Sequence, residues 1–122
     1  MSMPRKHVPD PRKALSLPVI HILLALAEGA RHGYAIKQEV EERTGGAIRL
    51  GPGTLYEAIQ RLLDGGLIEE TSAADVENGQ QAQRRYYALT AEGWALLRHE
   101  IQQLGTIVER ARAHPKLRKG LT

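Results

Sequence analysis

The feature that most constrains this 122-residue chain is an apolar repeat in residues 91–113. Its side chains recur with gaps of three, four, three, four and three residues, at Trp94, Leu97, Ile101, Leu104, Val108 and Ala111. Such spacing is typical of a helix that packs lengthwise on another helix. A helix of roughly 20 residues is about 30 Å long, as long as a small domain is wide. We therefore predict a dimerisation helix over 91–113; packing of this stripe on the chain's own core is the less favoured alternative.

A first helix is predicted to begin near Ser16 and to run to Gly29. Pro18 would lie in its first turn, where the missing N–H is tolerated. The segment is apolar on nearly every side, which predicts burial on most sides and cover from a partner chain. Leu23 is therefore placed in the dimer interface with the C-terminal repeat.

Two shorter amphipathic helices are predicted next, over residues 32–43 and 52–64. Glycines follow both segments, which favours a helix end at each place. The second of these helices has an apolar stripe formed by Leu55, Ala58, Ile59 and Leu62. Its opposite face is polar and consists of Thr54, Glu57, Gln60, Arg61 and Asp64.

A β-hairpin is predicted between the third and fourth helices. Residues 67–71 and 84–89 have strand character, and the polar stretch between them contains Asn78-Gly79, a strong tight-turn pair. Thr90 then offers a good N-cap for the last helix. The fold class is therefore mainly α with a small β-hairpin.

Composition and charge exclude several kinds of protein. The chain contains no cysteine, which excludes disulfides and thiol chemistry, and its longest apolar run, 22–27, is far shorter than the ~20 residues of a membrane span. No motif for nucleophilic catalysis or phosphate-cradling loop is present, and the five histidines lack metal-ligand spacing. We expect a cytoplasmic protein that is not an enzyme, has no cofactor or metal and has no membrane partner. The net charge of +3 is concentrated at the two ends, which suits a polyanionic partner or two solvated tails.

Several short motifs occur in an order that resembles the PadR family of bacterial transcriptional regulators. They are Leu17 to Leu26, His32-Gly33-Tyr34, Gly53-Thr54-Leu55-Tyr56, Gly66-Leu67-Ile68 and Arg85-Tyr86-Tyr87-Ala88-Leu89-Thr90. The resemblance covers about residues 15–110. It implies a winged helix-turn-helix domain over 15–90, preceded by a flexible basic arm (1–14) and followed by the dimerisation helix and a basic tail (114–122).

The resemblance also implies a function. The chain is expected to be a homodimeric repressor that binds double-stranded DNA at a pseudo-palindromic operator and responds to a small apolar or aromatic effector at the dimer seam. The residues expected to contact DNA are Tyr34, Lys37, Gly53, Thr54, Tyr56, Gln60, Arg61, Arg84 and Arg85.

Some assignments stay open at this level. Arg61 either contacts DNA or forms an ion pair on its own helix, and Tyr56 either reaches a phosphate or fills the junction between helix and wing. Only one of Arg84 and Arg85 can face DNA, because neighbouring strand residues point to opposite faces. Acidic residues near the wing would repel DNA phosphates. One alternative therefore stays open, a winged-helix module that binds protein instead of DNA.

Overall fold

The computed structural model describes residues 15–71 and 85–121. In chain order these residues form α1 (Leu17–Ala27), β1 (Arg31–His32), α2 (Gly33–Arg43), α3 (Pro52–Asp64), β2 (Ile68–Thr71), β3 (Tyr86–Leu89), α4 (Ala91–Arg112) and α5 (Pro115–Arg118). The predicted fold class, mainly α with a small β-hairpin and a long C-terminal helix, is confirmed, and the structure adds a third strand to the hairpin.

Helix α1 lies at the centre of the core, where it packs on α2, α4 and β3. Its start is as predicted: the Ser16 hydroxyl accepts a hydrogen bond from the Val19 amide, and Pro18 occupies the first turn. The buried residues of this helix are Ile20, Ile22, Leu23, Ala25 and Leu26. Their partners are side chains of the same chain, so α1 needs no partner chain to bury these residues.

Helices α2 and α3 form the helix-turn-helix unit. Helix α2 begins one residue later than predicted, because His32 is its N-cap and accepts a hydrogen bond from the Ala35 amide through Nδ1. Gly45 and Gly46 follow it with φ of 61° and 85°, a left-handed conformation that glycine adopts without steric cost. Helix α3 has both of its predicted ends.

The sheet differs from the predicted hairpin. It has three antiparallel strands with β3 in the centre, because β1 pairs with the free edge of β3 through Arg31 opposite Tyr87 and His32 opposite Tyr86. Strand β2 begins at Ile68, one residue later than predicted, and pairs with the other edge. The predicted turn at Asn78-Gly79 and the wing residue Arg84 lie outside the described residues.

A set of ion pairs joins the end of α1 to α2. Arg43 donates hydrogen bonds to Glu39, four residues earlier on α2, and to Glu28, the C-cap of α1. The Arg31 guanidinium lies 3.9 Å from Glu39 and donates to the Ala25 carbonyl. The hydrogen bond from Arg43 is the main reason that the pKa of Glu39 lies below its ordinary value.

The start of α4 is fixed to the turn that follows α3. Thr90 caps α4 through the Gly93 amide, and its hydroxyl also donates to the Gly66 carbonyl at 2.6 Å. The Leu67 carbonyl accepts from the Thr90 amide and lies so close to Gly93 that a Cβ there would be 2.0 Å from the oxygen. The backbones of α4 and this turn are therefore in direct contact.

Beyond its first turns, α4 is mostly exposed. Leu97 and Glu100 are buried, and a Glu100 carboxylate oxygen accepts a hydrogen bond from the Leu15 amide at 2.9 Å. The predicted basic tail contains the short helix α5, which sequence analysis did not predict. In residues 15–71 and 85–121, no helix combines the length and the apolar character needed to cross a membrane.

Candidate nucleic-acid interface

Helix α3 presents a polar face to solvent. Its apolar stripe is in the core, where Leu55, Ile59 and Leu62 are each less than 5% exposed. The five residues of this helix that were predicted to contact DNA are all exposed: Gly53, Thr54, Tyr56, Gln60 and Arg61. The exposed face carries hydroxyl, amide and guanidinium groups, which are the groups that read base edges and phosphates in a major groove.

Two of these side chains have neighbours on the same helix. The Arg61 guanidinium lies 3.8 Å from the Glu57 carboxylate, with both side chains about 70% exposed, and Gln60 donates to Asp64 at 3.0 Å. An exposed pair with this spacing contributes about 0.3–0.5 kcal/mol. The ion pair considered for Arg61 is therefore present but weak, and it does not prevent the guanidinium from binding a phosphate.

The start of α2 places a second pair of predicted residues at the surface. Tyr34 is 56% exposed, and the Lys37 ammonium lies 6.0 Å from the centre of its ring. Lys37 is also paired with Glu41 at 2.8 Å. Both side chains are about 30% exposed, so water screens the attraction between Lys37 and Glu41.

In the wing, the structure describes one of the two predicted arginines. Arg85 is about three-quarters exposed, and its guanidinium lies 3.7 Å from the Glu70 carboxylate on the neighbouring strand. Alternation along the strand places Arg85 on the same side of the sheet as Tyr87 and Leu89, which are buried. This side of the sheet faces the helices.

An open cavity of about 350 Å³ lies where α2, α3 and β3 meet. Its lining unites three predicted residues, Tyr34, Tyr56 and Arg85, with three that sequence analysis did not assign to DNA: His32, Gly33 and Tyr87. Alternation from Arg85 could have pointed to Tyr87. No sequence signal could have shown that the start of α2 lies beside β3, because this proximity depends on the two-residue strand β1.

Tyr56 packs on the start of α2. A Cβ at Gly33 would lie 2.6 Å from the Tyr56 hydroxyl oxygen, so only glycine leaves room for the phenol ring. The side chain is nevertheless 51% exposed. The packing role considered for Tyr56 is therefore observed at the start of α2, while its contact with a phosphate stays a prediction that its exposure allows.

Tyr87 has the most buried side chain of the cavity lining. It is 5% exposed, and burial is the main cause of its raised pKa, with the nearby Glu70 carboxylate adding to the effect. The phenol is therefore a protonated donor at neutral pH. Its hydroxyl lines the cavity, and it is not sealed from solvent without a partner: among the buried polar side-chain atoms of the described residues, the one that lacks a hydrogen bond is Nδ1 of His21.

The apolar stripe of α4 divides into two parts. Leu97 is enclosed in the chain's own core, as is Leu23 of α1 (4% and 0% exposed), so these two residues offer no surface to a partner chain and their placement in the interface is corrected. Leu104 and Ala111 are half-buried. The exposed part consists of Trp94, Ile101 and Val108, with Ile107 beside them.

The described residues contain no group of three or more histidine, aspartate or glutamate side chains that could hold a metal ion. The chain is instead defined by a helix-turn-helix unit with an exposed polar helix, an adjoining three-stranded sheet and the long, largely exposed helix α4. Together these elements define a winged-helix protein of the DNA-binding class.

Comparison with known proteins agrees with this class. Residues 22–99 match the transcriptional regulator PadR-like family, and the chain belongs to that family. It is 34% identical over 88 residues to uncharacterized protein X of Lysinibacillus sphaericus, and this region covers 72% of this chain and 78% of that protein. It is also 38% identical over 86 residues, or 70% of its length, to a 37.1 kDa protein in transposon TN4556 of Streptomyces fradiae, of which it spans only 22%.

Solved structures show the same architecture. A PadR family transcription regulator from Clostridium difficile is 28% identical, with a TM-score of 0.68 over 80% of this chain and 97% of that one. RosR of H. salinarum is 30% identical, with a TM-score of 0.60 over 90% and 88% of the two chains. Bacillus subtilis PadR in complex with operator DNA is 23% identical, with a TM-score of 0.59 over 70% and 47%, a likeness of fold alone.

Proposed function

We propose that this regulator is a sequence-specific repressor that binds a pseudo-palindromic operator as a homodimer. The observation that carries the proposal is that one small domain exposes two faces of different chemistry. The polar face of α3 suits a major groove, and the exposed apolar stripe of α4 suits a second copy of the same helix. Operator DNA also implies a cytoplasmic location.

Two copies joined through α4 would present two α3 helices about one helical turn apart, roughly 34 Å. Each α3 would then read one half-site, which explains why the operator should be an inverted repeat. The likeness of fold to Bacillus subtilis PadR, whose crystal structure is a complex with operator DNA, supports DNA as the partner.

A small apolar or aromatic molecule in the seam between two α4 helices would release the repressor if it favoured a different separation of the two α3 helices. Only a ligand with different affinities for the two arrangements can shift their populations. The exposed side chains of Trp94 and Ile101 would line such a seam.

The DNA assignment is tested with Arg61→Ala and the matched control Arg98→Ala, which removes an exposed arginine from α4 instead of α3. DNA upstream of the encoding gene is footprinted with the wild-type protein, and affinities are measured at several salt concentrations. Arg61→Ala should lose about 1–3 kcal/mol of operator binding, and Arg98→Ala should bind normally. Normal binding by Arg61→Ala refutes the groove assignment, while salt-independent binding or none at low salt favours the protein-binding alternative.

The dimer assignment is tested with Ile101→Asp combined with Val108→Asp. Both side chains are about 40% exposed, so charged replacements leave the core of one chain intact. The variant should sediment as a folded monomer at concentrations where the wild type is a dimer. If the double variant is still a dimer, the interface does not lie on the exposed stripe of α4.

A further inference from the structure

Helix α3 carries a carboxylate in the middle of the face that is proposed to enter the major groove. Glu57 occupies the sixth of 13 positions in this helix, and its side chain is 70% exposed. Thr54 lies three residues before it, and Gln60 and Arg61 lie three and four residues after it, so the four side chains share one face. Helices of this kind contact base edges through their N-terminal residues. Glu57 therefore lies where a base contact is made, although none of the roles above includes it.

The charge of α3 does not favour contact with phosphates. Its exposed face has one arginine, Arg61, against two carboxylates, Glu57 and Asp64, and the helix contains no lysine and no second arginine. Binding that ignores sequence depends on the neutralisation of phosphates by cations. A helix with a net charge of −1 contributes nothing to such binding, so its affinity for DNA has to come from base edges.

The other described cations expected to contact DNA are balanced in the same way. Lys37 lies 2.8 Å from Glu41, and Arg85 lies 3.7 Å from Glu70. Each carboxylate repels the phosphate that its neighbouring cation attracts. Attraction to the DNA backbone is therefore weakened across this surface, and base contacts have to supply more of the affinity.

Glu57 and Arg61 place an acceptor beside a donor. Their charged groups are 3.8 Å apart, which is too long for a hydrogen bond, so the carboxylate oxygens stay open to a donor in the groove. A C·G pair presents the cytosine N4 amine, a donor, beside the acceptors O6 and N7 of guanine. This order is complementary to Glu57 and Arg61.

An A·T pair is a poorer match for a carboxylate. Its one major-groove donor, the adenine N6 amine, lies between two acceptors, adenine N7 and thymine O4. Both acceptors repel a carboxylate that approaches the amine. In a C·G pair the acceptors lie on one side of the cytosine amine only, which leaves the other side open to Glu57.

We propose that Glu57 recognises a cytosine in each half-site of the operator, with its carboxylate accepting a hydrogen bond from the N4 amine. The inference rests on the proposed DNA-binding function and adds a residue to those expected to contact DNA. On unrelated DNA the carboxylate meets acceptors and phosphates instead of this donor, and it weakens binding. Glu57 is thus a specificity-determining residue, because it favours the operator and disfavours other sequences.

The test uses the footprinted operator, in which each base pair of both half-sites is changed in turn to the other three. Glu57→Ala removes the carboxylate from an exposed position of the helix. Glu109→Ala is the matched control, because Glu109 is 79% exposed, lies 4.0 Å from Arg112 and belongs to α4. Circular dichroism and sedimentation establish that each variant is folded and has the oligomeric state of the wild type.

At one C·G pair per half-site, the wild type and Glu109→Ala should lose about tenfold in affinity when the pair is changed. Glu57→Ala should bind all four base pairs at that position within about twofold of one another, and should bind DNA without an operator more tightly than the wild type does. N4-methylcytosine keeps the base pair but replaces the amine hydrogen that faces the groove. It should weaken the wild type about tenfold and leave Glu57→Ala unaffected.

Glu57→Gln provides a gain of a new preference. Glutamine binds the N6 and N7 atoms of adenine, so this variant should favour adenine where the wild type favours cytosine. A residue that only held Arg61 in place would not change the preferred base in this way.

Three outcomes would contradict these expectations in different ways. If Glu57→Ala keeps every base preference of the wild type and binds all duplexes more tightly by one factor, the carboxylate only repels phosphates and the cytosine contact is refuted. If N4-methylcytosine weakens the wild type at no position, Glu57 acts through Arg61 and the cytosine contact is refuted as well. If the wild type binds no duplex even at low salt, the proposed function fails instead.

Discussion

Replacing Gly93 by alanine tests the contact between α4 and the turn after α3. The new Cβ would lie 2.0 Å from the Leu67 carbonyl oxygen and 3.2 Å from a methyl carbon of Leu89. Relief requires a shift of roughly 1 Å, because Cβ contacts shorter than 3.0 Å essentially do not occur. The carbonyl cannot move freely, since it accepts a hydrogen bond from the Thr90 amide at 3.1 Å.

Overpacking of this kind costs about 1–3 kcal/mol, and loss of the hydrogen bond about 1 kcal/mol more. The better helix propensity of alanine offsets at most about 1 kcal/mol of this destabilisation. We therefore expect Gly93→Ala to lower the free energy of unfolding by about 1–3 kcal/mol. Since most domains have only 5–15 kcal/mol in total, the loss is large enough to be measured reliably.

Gly105 provides the matched control on the same helix. An added Cβ there has no atom within 4 Å, so Gly105→Ala should stabilise the protein by up to about 1 kcal/mol. Both variants are unfolded in urea at equal protein concentration and followed by circular dichroism, because the stability of a dimer depends on concentration. Equal stability of the two variants would refute the close contact at Gly93.

Three further predictions concern single side chains. Thr90→Val should lose about 1 kcal/mol of unfolding free energy through the missing cap, and Thr90→Ser should retain it, as read from urea midpoints. Glu100→Ala should cost about 1–3 kcal/mol, because it leaves the Leu15 amide without its acceptor; hydrogen exchange at that amide should rise with it. The folded pKa of Glu39 is depressed, so its stabilising effect is present above the ordinary value of 4.5 and is lost as pH falls through the folded value. Glu39→Gln should therefore lose less stability than the wild type between pH 7 and pH 3, and an unchanged acid dependence would contradict the role of its bond to Arg43.

Local signals explain why most elements were predictable. Pro52 and the glycines after Asp64 mark the ends of α3, and the spacing of its apolar stripe marks its buried face. Each of these signals involves residues that are close together in the sequence, so it can be interpreted without knowing how the rest of the chain folds. The polar face of α3 followed from the same pattern.

Long-range pairing explains what was missed. Strand β1 has two residues, too few for an alternating pattern, and it exists only because β3 has a free edge beside the start of α2. The cavity, with Tyr87 in its lining, depends on that pairing. Similarly, apolar spacing predicts that Leu23 and Leu97 are buried, but it cannot tell whether their partners belong to the same chain or to another.

The junction at Thr90 and Gly93 has a consequence for how related regulators could diverge. Because the start of α4 is hydrogen-bonded to the turn that ends α3 and is in close contact with it, α3 and α4 are expected to move together as one rigid unit. In the proposed dimer, the distance between the two α3 helices would then be set by the crossing angle of the two α4 helices. Substitutions in α4 alone could therefore change the preferred spacing of the two half-sites, while the residues of α3 proposed to contact bases stay the same.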